Sequence, residues 1–364
     1  MVDFLDLRAA AQARREELLA AAAAVIDSGW FILGEQVAAF EREFAAYCDA
    51  PGAVGVANGL DAISLALRAL GIGPGDEVIV PSNTYIATWL AVSHVGAIPV
   101  AVEPDEATYN LDPARVEAAI TPATRAIIAV HLYGQPADLD PLRAIADTHG
   151  LALVEDAAQA HGARYKGRRI GSGDRSIVTW SFYPGKNLGA LGDGGALTAG
   201  PAIAADVAML RNYGSARKYE HELIGYNSRL DEMQAAFLRA KLPHLDAENE
   251  RRRTIAARYT AGLAGTGLIL PFVPDWAEPV WHLYVVRHPD RDGLAAHLKA
   301  AGIGTVIHYP TPPHLQAAYA PMGLGKGSFP ISERIHREVL SLPIGPMLTD
   351  GEVDQVIDAV RRFG

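Results

Sequence analysis

From residue 126 to residue 156 the chain reads AIIAVHLYGQPADLDPLRAIADTHGLALVED. Two short and largely apolar runs, residues 126–131 and 152–155, flank a longer segment, residues 139–149, whose apolar residues recur at helical spacing. Short apolar runs predict buried strands, and the longer amphipathic segment predicts a helix. A strand, a helix and a second strand in this order form the unit from which parallel sheets are built.

The same alternation extends outward, from residue 53 to about residue 213. Two helices are predicted before it, and helices dominate again over residues 231–263. This order predicts an α/β fold with a mostly parallel central sheet, covered by helices on both faces. A strand at residues 281–287 and helical segments after it predict a smaller C-terminal α+β domain. We therefore expect a large domain over residues 1–245 and a small one over 246–364.

The composition is that of an acidic globular protein. The chain has 364 residues, with 32 Lys and Arg against 42 Asp and Glu, for a formal net charge of −10. This balance argues against nucleic acids and anionic membranes as partners, because both attract basic surfaces. The single cysteine, Cys48, cannot form an internal disulfide or a zinc knuckle. With no recognisable signal peptide or membrane span, the sequence predicts a soluble cytoplasmic protein.

Motifs of several other enzyme classes are incomplete in this sequence. Gly71, Gly73 and Gly75 follow a predicted helix and precede a strand, the reverse of the order in a dinucleotide-binding loop. The Gly185-Lys186 pair lacks the first glycine and the final Ser or Thr of a P-loop. The chain contains no G-x-S-x-G and no H-E-x-x-H. A serine hydrolase and a metal-dependent enzyme are therefore disfavoured.

A carboxylate and a lysine follow two of the predicted strands. Asp156 directly follows the strand at residues 152–155, and Lys186 comes shortly after a strand at residues 177–182, among Pro, Gly and Asn. The carboxyl ends of parallel strands meet at one edge of the sheet, where ligands bind. A lysine there is a candidate amine nucleophile, or else one half of a structural ion pair with Asp156.

Two further segments add to this pattern. Asn58-Gly59-Leu60 joins a strand to a helix whose amino terminus suits a phosphate, and Tyr85 opens the next predicted helix. A phosphate cradle, an aromatic ring, a carboxylate and a lysine are what pyridoxal 5'-phosphate (PLP) requires. An acid must keep the ring nitrogen protonated, and a lysine must form the Schiff base.

The sequence resembles the DegT/StrS-type sugar aminotransferases, a branch of the fold-type I PLP enzymes related to aspartate aminotransferase. The resemblance covers the chain from SGWFILG at residues 28–34, through EDAAQAHG at 155–162, to LPIG at 342–345. Its most specific motifs are SFYPGKNLG at residues 181–189 and GDGG at 192–195. It implies the fold-type I architecture, PLP as cofactor and amino transfer as the reaction.

The resemblance also implies a role for each matching residue. Lys186 is the expected Schiff-base lysine, whose freed amine then moves a proton between the cofactor and the substrate carbon. Asp156 is expected to pair with the ring nitrogen. The other expected cofactor contacts are the backbone amides of Gly59 and Leu60 and the hydroxyl of Ser181 at the phosphate, Tyr85 on the ring, Gln159 at the phenolic oxygen, and Asn227 reaching the phosphate of the neighbouring subunit. A homodimer with shared active sites follows, although Asn227 has the alternative role of capping the next helix.

Further motifs resemble one subgroup, which aminates C3 of nucleotide-linked 3-keto-6-deoxyhexoses. These motifs are ANGLDA at residues 57–62, SNTYIAT at 82–88 and HYP at 308–310. The implied reaction moves an amino group from an amino acid, with L-glutamate the expected donor, to a dTDP-linked ketosugar.

In that subgroup, Tyr183, His308 and Tyr309 are expected to lie near the hexose. Arg217 and Lys218 are candidates for neutralising the diphosphate, although a solvated loop explains them equally well.

Three alternatives stay open at this point. The first is amination at C4, which only a chemical test separates from amination at C3. The C4 branch usually has a Ser-Gly-Thr-type phosphate loop. A sugar dehydratase of the same fold replaces the lysine with histidine, so Lys186 argues against it. A non-catalytic regulator that binds PLP or a sugar nucleotide would normally add a basic DNA-binding segment, for which this acidic chain shows no candidate.

Overall fold

The structure of the protein is a computed structural model that describes residues 1–173, 175–217 and 219–363. Its helices are α1 (Leu7–Ala13), α2 (Arg15–Ser28), α3 (Glu35–Cys48), α4 (Gly59–Ala69), α5 (Ala87–His94), α6 (Pro113–Val116), α7 (Leu139–His149), α8 (Pro201–Leu210), α9 (Glu232–Lys241), α10 (Leu245–Gly262), α11 (Arg291–Ala300), α12 (Pro330–Glu338) and α13 (Asp350–Arg361). Its strands are β1 (Ala53–Val56), β2 (Glu77–Pro81), β3 (Ile98–Val102), β4 (Thr124–Val130), β5 (Ala152–Asp156), β6 (Arg164–Tyr165), β7 (Arg168–Arg169), β8 (Ile177–Ser181), β9 (Gly195–Thr198), β10 (Ala277–Glu278), β11 (Tyr284–Arg287) and β12 (Val339–Leu342).

A seven-stranded sheet forms the centre of the molecule, in the strand order β1-β9-β8-β5-β4-β2-β3. The neighbouring strands from β8 to β3 are all parallel, so the predicted α/β class with a mostly parallel sheet is confirmed. Strand β9 was not predicted, and it lies antiparallel between β1 and β8. The loop before it, residues 182–194, contains no helix to carry the chain across the sheet, so β9 returns beside β8. We call this loop the lysine loop.

Helices cover both faces of the sheet. One apolar core contains Phe40 of α3 together with side chains from α7 and α9. A second core contains Trp89 of α5 with side chains from α4 and α8. Along β2, Ile79 belongs to the first core, whereas its neighbours Val78 and Val80 belong to the second. Successive side chains of a strand point to opposite faces, so the two cores lie on opposite sides of the sheet.

A third core lies outside the central sheet, around the antiparallel pair β11–β12 and the helices α10, α11 and α13. It contains Tyr259 of α10 and Val353 of α13, and also Val2, which pairs with Ile303. The first residues of the chain therefore pack against its C-terminal part. The division into domains near residue 245 stays a prediction.

Two findings concern only the described ranges. None of the helices there has both the length and the apolar character that crossing a membrane requires. No group of three or more His, Cys, Asp or Glu side chains within the same ranges is placed to hold a metal ion. The cytoplasmic location stays a prediction.

Candidate active site

A cavity of about 640 Å³ lies at the carboxyl ends of the parallel strands. Its lining includes Val130, Asp156 and Ser181, which are the last residues of β4, β5 and β8. Ten of the eleven residues predicted for the site line this cavity: Gly59, Leu60, Tyr85, Asp156, Gln159, Ser181, Tyr183, Lys186, His308 and Tyr309. The eleventh, Asn227, lies elsewhere.

Lys186 is held in place by the lysine loop. Its backbone amide donates to the carbonyl of Tyr183 at 2.8 Å, which closes a tight turn. A Cβ atom at Gly189 would lie 2.4 Å from the carbonyl oxygen of Pro184, so only glycine permits this backbone path. The buried side chain of Asn187 fixes the loop from the other side, through two hydrogen bonds of 2.9 Å to the C-terminal half of the chain.

The side chain of Lys186 is half-buried and lines the cavity with Asp156. Burial lowers the pKa of its amine to about 8, and the negative charge of Asp156 opposes the shift. Among the residues that the structure describes, none forms a hydrogen bond or an ion pair with this amine. The predicted alternative of a structural ion pair with Asp156 is therefore not formed. An amine that loses its proton near neutral pH is suited to act as a nucleophile.

The carboxylate of Asp156 is oriented by two donors. The backbone amide of Ala158 donates to Oδ1 at 3.1 Å, and the hydroxyl of Thr88 donates to Oδ2 at 2.9 Å. Burial raises the pKa of Asp156, and both hydrogen bonds oppose that rise. A cationic ring nitrogen opposite this carboxylate would lower its pKa further and keep it ionised. Each oxygen retains a lone pair that could accept the proton of such a nitrogen.

The amino terminus of α4 lines the cavity with Gly59 and Leu60. Asn58 caps the helix, because its side-chain oxygen accepts from the amide of Asp61 at 2.9 Å. A Cβ atom at Gly59 would lie 2.6 Å from the Cβ of Ser181, so only glycine lets the helix approach the end of β8 this closely. The first amides of a helix have no partner within it, and they attract anions. With the Ser181 hydroxyl, they form a cradle suited to a phosphate.

Gln159 and Tyr309 are linked at the cavity wall. The amide nitrogen Nε2 of Gln159 donates to the Tyr309 hydroxyl at 3.0 Å, while Oε1 accepts from the backbone amide of Tyr133 at 2.6 Å. The Tyr309 ring lies 5.1 Å, centroid to centroid, from the ring of Tyr85. Nε2 carries two hydrogens, so its bond to Tyr309 leaves one for the predicted contact with a phenolic oxygen.

His308 and Tyr183 form another part of the wall. His308 Nδ1 lies 2.8 Å from the hydroxyl of Ser341. Burial, with a smaller contribution from the charge of Lys186, lowers the pKa of His308 to about 4. The ring is therefore neutral at neutral pH and has one nitrogen that donates and one that accepts. Tyr183 is 57% exposed, and its hydroxyl has no hydrogen-bond partner within the part of the chain that the structure describes.

Asn227 does not reach this cavity within its own chain. It is exposed, pairs with Asn212 in an isolated bridge, and lines a separate cavity of about 210 Å³. Helix α9 begins at Glu232 after its cap residue Asp231. The alternative that Asn227 caps this helix is therefore wrong, and its contact with a neighbouring subunit stays a prediction.

Of the two basic residues considered for the diphosphate, Arg217 is not part of the cavity lining. Arg217 is exposed and lies in a turn, where it pairs with Glu220. Lys218 lies outside the described residues. Their contact with a substrate stays a prediction.

Several cavity residues were missed in the sequence. Thr88 and Asp193 line the cavity, and both stand inside motifs quoted above, so a signal for them was present. Phe4, Leu5 and Leu7 also line it. They lie far from the other site residues in sequence, and no pattern in the chain connects them to the site.

The residues present fit PLP. The cradle at Gly59 would be closed by any larger side chain, the carboxylate of Asp156 is held with free lone pairs, and the Lys186 amine has a lowered pKa. A phosphate, a protonated ring nitrogen and an aldehyde are the three groups of PLP that require these partners.

Known proteins resemble this chain in sequence and in structure. The sequence model of the DegT/DnrJ/EryC1/StrS aminotransferase family matches residues 12–361. The dTDP-3-amino-3,4,6-trideoxy-alpha-D-glucose transaminase of Streptomyces venezuelae is 60% identical over 100% of this chain and 96% of its own length. The X-ray crystal structure of S. venezuelae DesV matches with a TM-score of 0.98 at 60% identity, over 99% of this chain and 98% of that one. The PLP form of Spr1654 from Streptococcus pneumoniae matches with a TM-score of 0.90 at 28% identity, over 96% of each chain.

Proposed function

The chain belongs to the DegT/DnrJ/EryC1/StrS aminotransferase family, and we propose that it aminates C3 of a dTDP-linked 3-keto-6-deoxyhexose. The proposed amino donor is L-glutamate, and the product would be an aminated deoxysugar nucleotide. The name of the S. venezuelae relative, which denotes a 3-amino sugar, supports C3. One observation carries the proposal. Lys186 and Asp156 line the same cavity as eight other predicted site residues.

PLP is the cofactor of this family, and the PLP form of one solved neighbour agrees with that. When bound, PLP supplies a conjugated ring that withdraws electrons from the carbon carrying the amino group. In this chain Gly59, Leu60 and Ser181 would hold its phosphate. Lys186 would carry it covalently, and Asp156 would hold the ring nitrogen.

Lys186 would perform the proton transfers. Because its pKa is about 8, the amine exists in both protonation states near neutral pH, and Nζ can accept a proton and return it. It would take the proton from the donor's α-carbon in the first half of the reaction and deliver one to the sugar carbon in the second. The donor thus leaves its amino group in the site before the ketosugar enters.

Asp156 would keep a proton on the ring nitrogen throughout. Its two hydrogen-bond donors fix the carboxylate, so no reorientation is needed when charge develops on the ring. The neutral ring of His308 and the hydroxyl of Tyr183 would bind hexose hydroxyls by donating and accepting hydrogen bonds.

We also propose that the active unit is a homodimer. The segment carrying Asn227 exposes large apolar side chains, with Ile224 90% and Leu223 43% exposed. Trp30 is 63% exposed. Exposed apolar surface of this kind is typical of subunit interfaces. A partner subunit across this surface would receive Asn227 at its own phosphate cradle.

A substrate trial tests the proposal. Purified enzyme with PLP and L-glutamate is given dTDP-3-keto-6-deoxyhexose or dTDP-4-keto-6-deoxyhexose, and the position of the new amine is determined by NMR. We expect the amine at C3, and no product from the Lys186→Ala variant. An amine at C4 would replace the proposal with the C4 reaction. No amination of either sugar would contradict both.

A further inference from the structure

The first residues of the chain, residues 2–7, form a strap that lines the cavity and leads into helix α1. At its start Val2 is only 1% exposed. Its amide donates to the carbonyl of Gly302 at 2.8 Å, and its carbonyl accepts from the amide of Gly304 at 2.8 Å. At its end Asp6 caps helix α1, where its carboxylate accepts from the amide of Ala9 at 2.7 Å. The pairing of Val2 therefore fixes the start of the strap on the C-terminal part of the chain, and the cap at Asp6 fixes where helix α1 begins.

Phe4 and Leu5 lie within the strap, between Val2 and Asp6, and line the cavity. A Cβ atom at Gly304 would lie 3.0 Å from the backbone nitrogen of Phe4, so the strap packs closely against the C-terminal part of the chain. The ring of Phe4 lies 5.7 Å, centroid to centroid, from the ring of His308. Both Phe4 and Leu5 are half-buried, so part of each side chain stays open to an occupant of the cavity.

The side chain of Leu5 lies between the lysine loop and the C-terminal part of the chain. Its Cδ2 atom lies 3.8 Å from the place where a Cβ atom of Gly185 would stand. Its Cδ1 atom lies 3.0 Å from the corresponding place at Gly345. Leu5 therefore lies beside the residue that precedes Lys186, on the lining of the cavity.

We propose that Phe4 and Leu5 form an apolar wall that contacts the deoxygenated hexose and selects for it. A carboxylate of an amino-acid donor would find no hydrogen-bond partner in the side chains of Phe4 and Leu5, and burying it there would cost free energy. C6 of a 6-deoxyhexose is a methyl group, which gains apolar contact on the same surface. The wall therefore serves the ketosugar half of the reaction and not the donor half. This inference rests on the proposed function.

The two half-reactions provide the test, with the holoenzymes of Phe4→Ala and Leu5→Ala. The donor half is followed with L-glutamate alone, through the absorbance change of the bound cofactor, and its rate should stay within about twofold of the wild-type rate, since the donor does not touch the wall. The KM for the ketosugar should rise by about tenfold, the lower end of what lost apolar contacts cause.

Controls separate this effect from a loss of structure. Phe272→Ala removes the same ring from a side chain that is 55% exposed and outside the cavity lining, and it should change neither half-reaction. Cofactor content and melting temperature are measured for each variant. If an alanine variant fails to fold, Phe4→Leu and Leu5→Val replace it, with a smaller rise in the KM for the ketosugar expected.

Two results would overturn the inference. One is a wild-type KM for the ketosugar in both folded variants, and the other is an equal loss in both half-reactions. Either result requires that the wild-type enzyme aminates the ketosugar. Failure of the wild-type enzyme to do so contradicts the proposed function itself, so the two failures are distinguishable.

Discussion

The hydroxyl of Thr88, in the first turn of α5, donates a 2.9 Å hydrogen bond to Oδ2 of Asp156 at the end of β5. Thr88 Oγ1 also lies 3.0 Å from the hydroxyl of Thr84, so two buried hydroxyls stand behind the carboxylate. A donor of this kind favours the ionised form of Asp156 against the opposing effect of burial. Thr88 thus positions the group that is proposed to hold the ring nitrogen.

Thr88→Val should lower kcat about tenfold, which corresponds to about 1.4 kcal/mol, because valine fills the same volume without the donor. The pKa of Asp156 should rise further, so the carboxylate competes better with the ring nitrogen for the proton between them, and the ring is protonated to a smaller extent. The pH dependence of the bound cofactor's absorption spectrum should shift as a result. Thr88→Ser keeps the hydroxyl and should recover both properties. If Thr88→Val matches the wild-type enzyme in kcat and in the spectrum, the positioning role is refuted.

Gly59→Ala should weaken cofactor binding by at least about tenfold. The new Cβ atom would lie 2.6 Å from the Cβ of Ser181, so the helix must move away from the cradle. Titration of the apoenzyme with PLP, followed by absorbance, measures the dissociation constant. Gly351→Ala is the matched control, because no atom lies within 4 Å of a Cβ placed there. Equal dissociation constants for the two variants would argue against a phosphate at Gly59.

Attachment of PLP to the apoenzyme should become faster as the pH rises through about 8. Burial lowers the pKa of the Lys186 amine to about 8, and only the neutral amine attacks an aldehyde. Below that pH the neutral fraction grows about tenfold per pH unit, and above it the rate should level off. Stopped-flow absorbance measures the rate. Pyridoxamine phosphate, which needs no covalent bond, serves as the control and should bind without this step. A plateau beginning only near the ordinary lysine pKa would contradict the assigned shift.

Much of the fold was predictable because buried parallel strands and amphipathic helices leave strong periodic patterns. Helix α7 begins and ends at the predicted residues, 139 and 149. Strand β9 was not predicted. This strand has only four residues, Gly195–Thr198, and it begins at the last glycine of the GDGG motif, whose glycines favour a loop. Its pairing with β1 and β8 depends on residues distant in sequence, which no local pattern reveals.

The candidate site likewise has residues that local patterns predict and residues that depend on contacts distant in sequence. Asp156 is the last residue of β5 and Lys186 lies in the loop after β8, so the sheet topology brings them to one edge. Phe4 and Leu5 reach the cavity only because Val2 pairs with Ile303, a contact of the third core. The sequence position of Asn227 does not reveal which cavity it serves. Because Asn227 is exposed in the single chain, its predicted role requires an experiment with two different chains.

Heterodimers of a Lys186→Ala chain and an Asn227→Ala chain test the shared site. If Asn227 serves the partner's cavity, one site of the heterodimer carries both lesions and the other carries neither. Activity should then exceed that of either parent homodimer, approaching that of a heterodimer of wild-type and Lys186→Ala chains, which is the control. The chains carry different affinity tags so that only heterodimers are assayed. Activity no higher than that of the Asn227→Ala homodimer would show that Asn227 acts within its own chain or not at all.

The central claim is that the cavity at the carboxyl ends of β5 and β8 binds PLP through Lys186. The most direct measurement is reduction of the holoenzyme with borohydride, followed by proteolysis and mass spectrometry of the peptides. The chain has six lysines, Lys166, Lys186, Lys218, Lys241, Lys299 and Lys326, so the modified peptide is identified without ambiguity. We expect the reduced cofactor on Lys186 and no adduct in the Lys186→Ala variant. An adduct on another lysine, or none on a protein that binds PLP, would contradict the account.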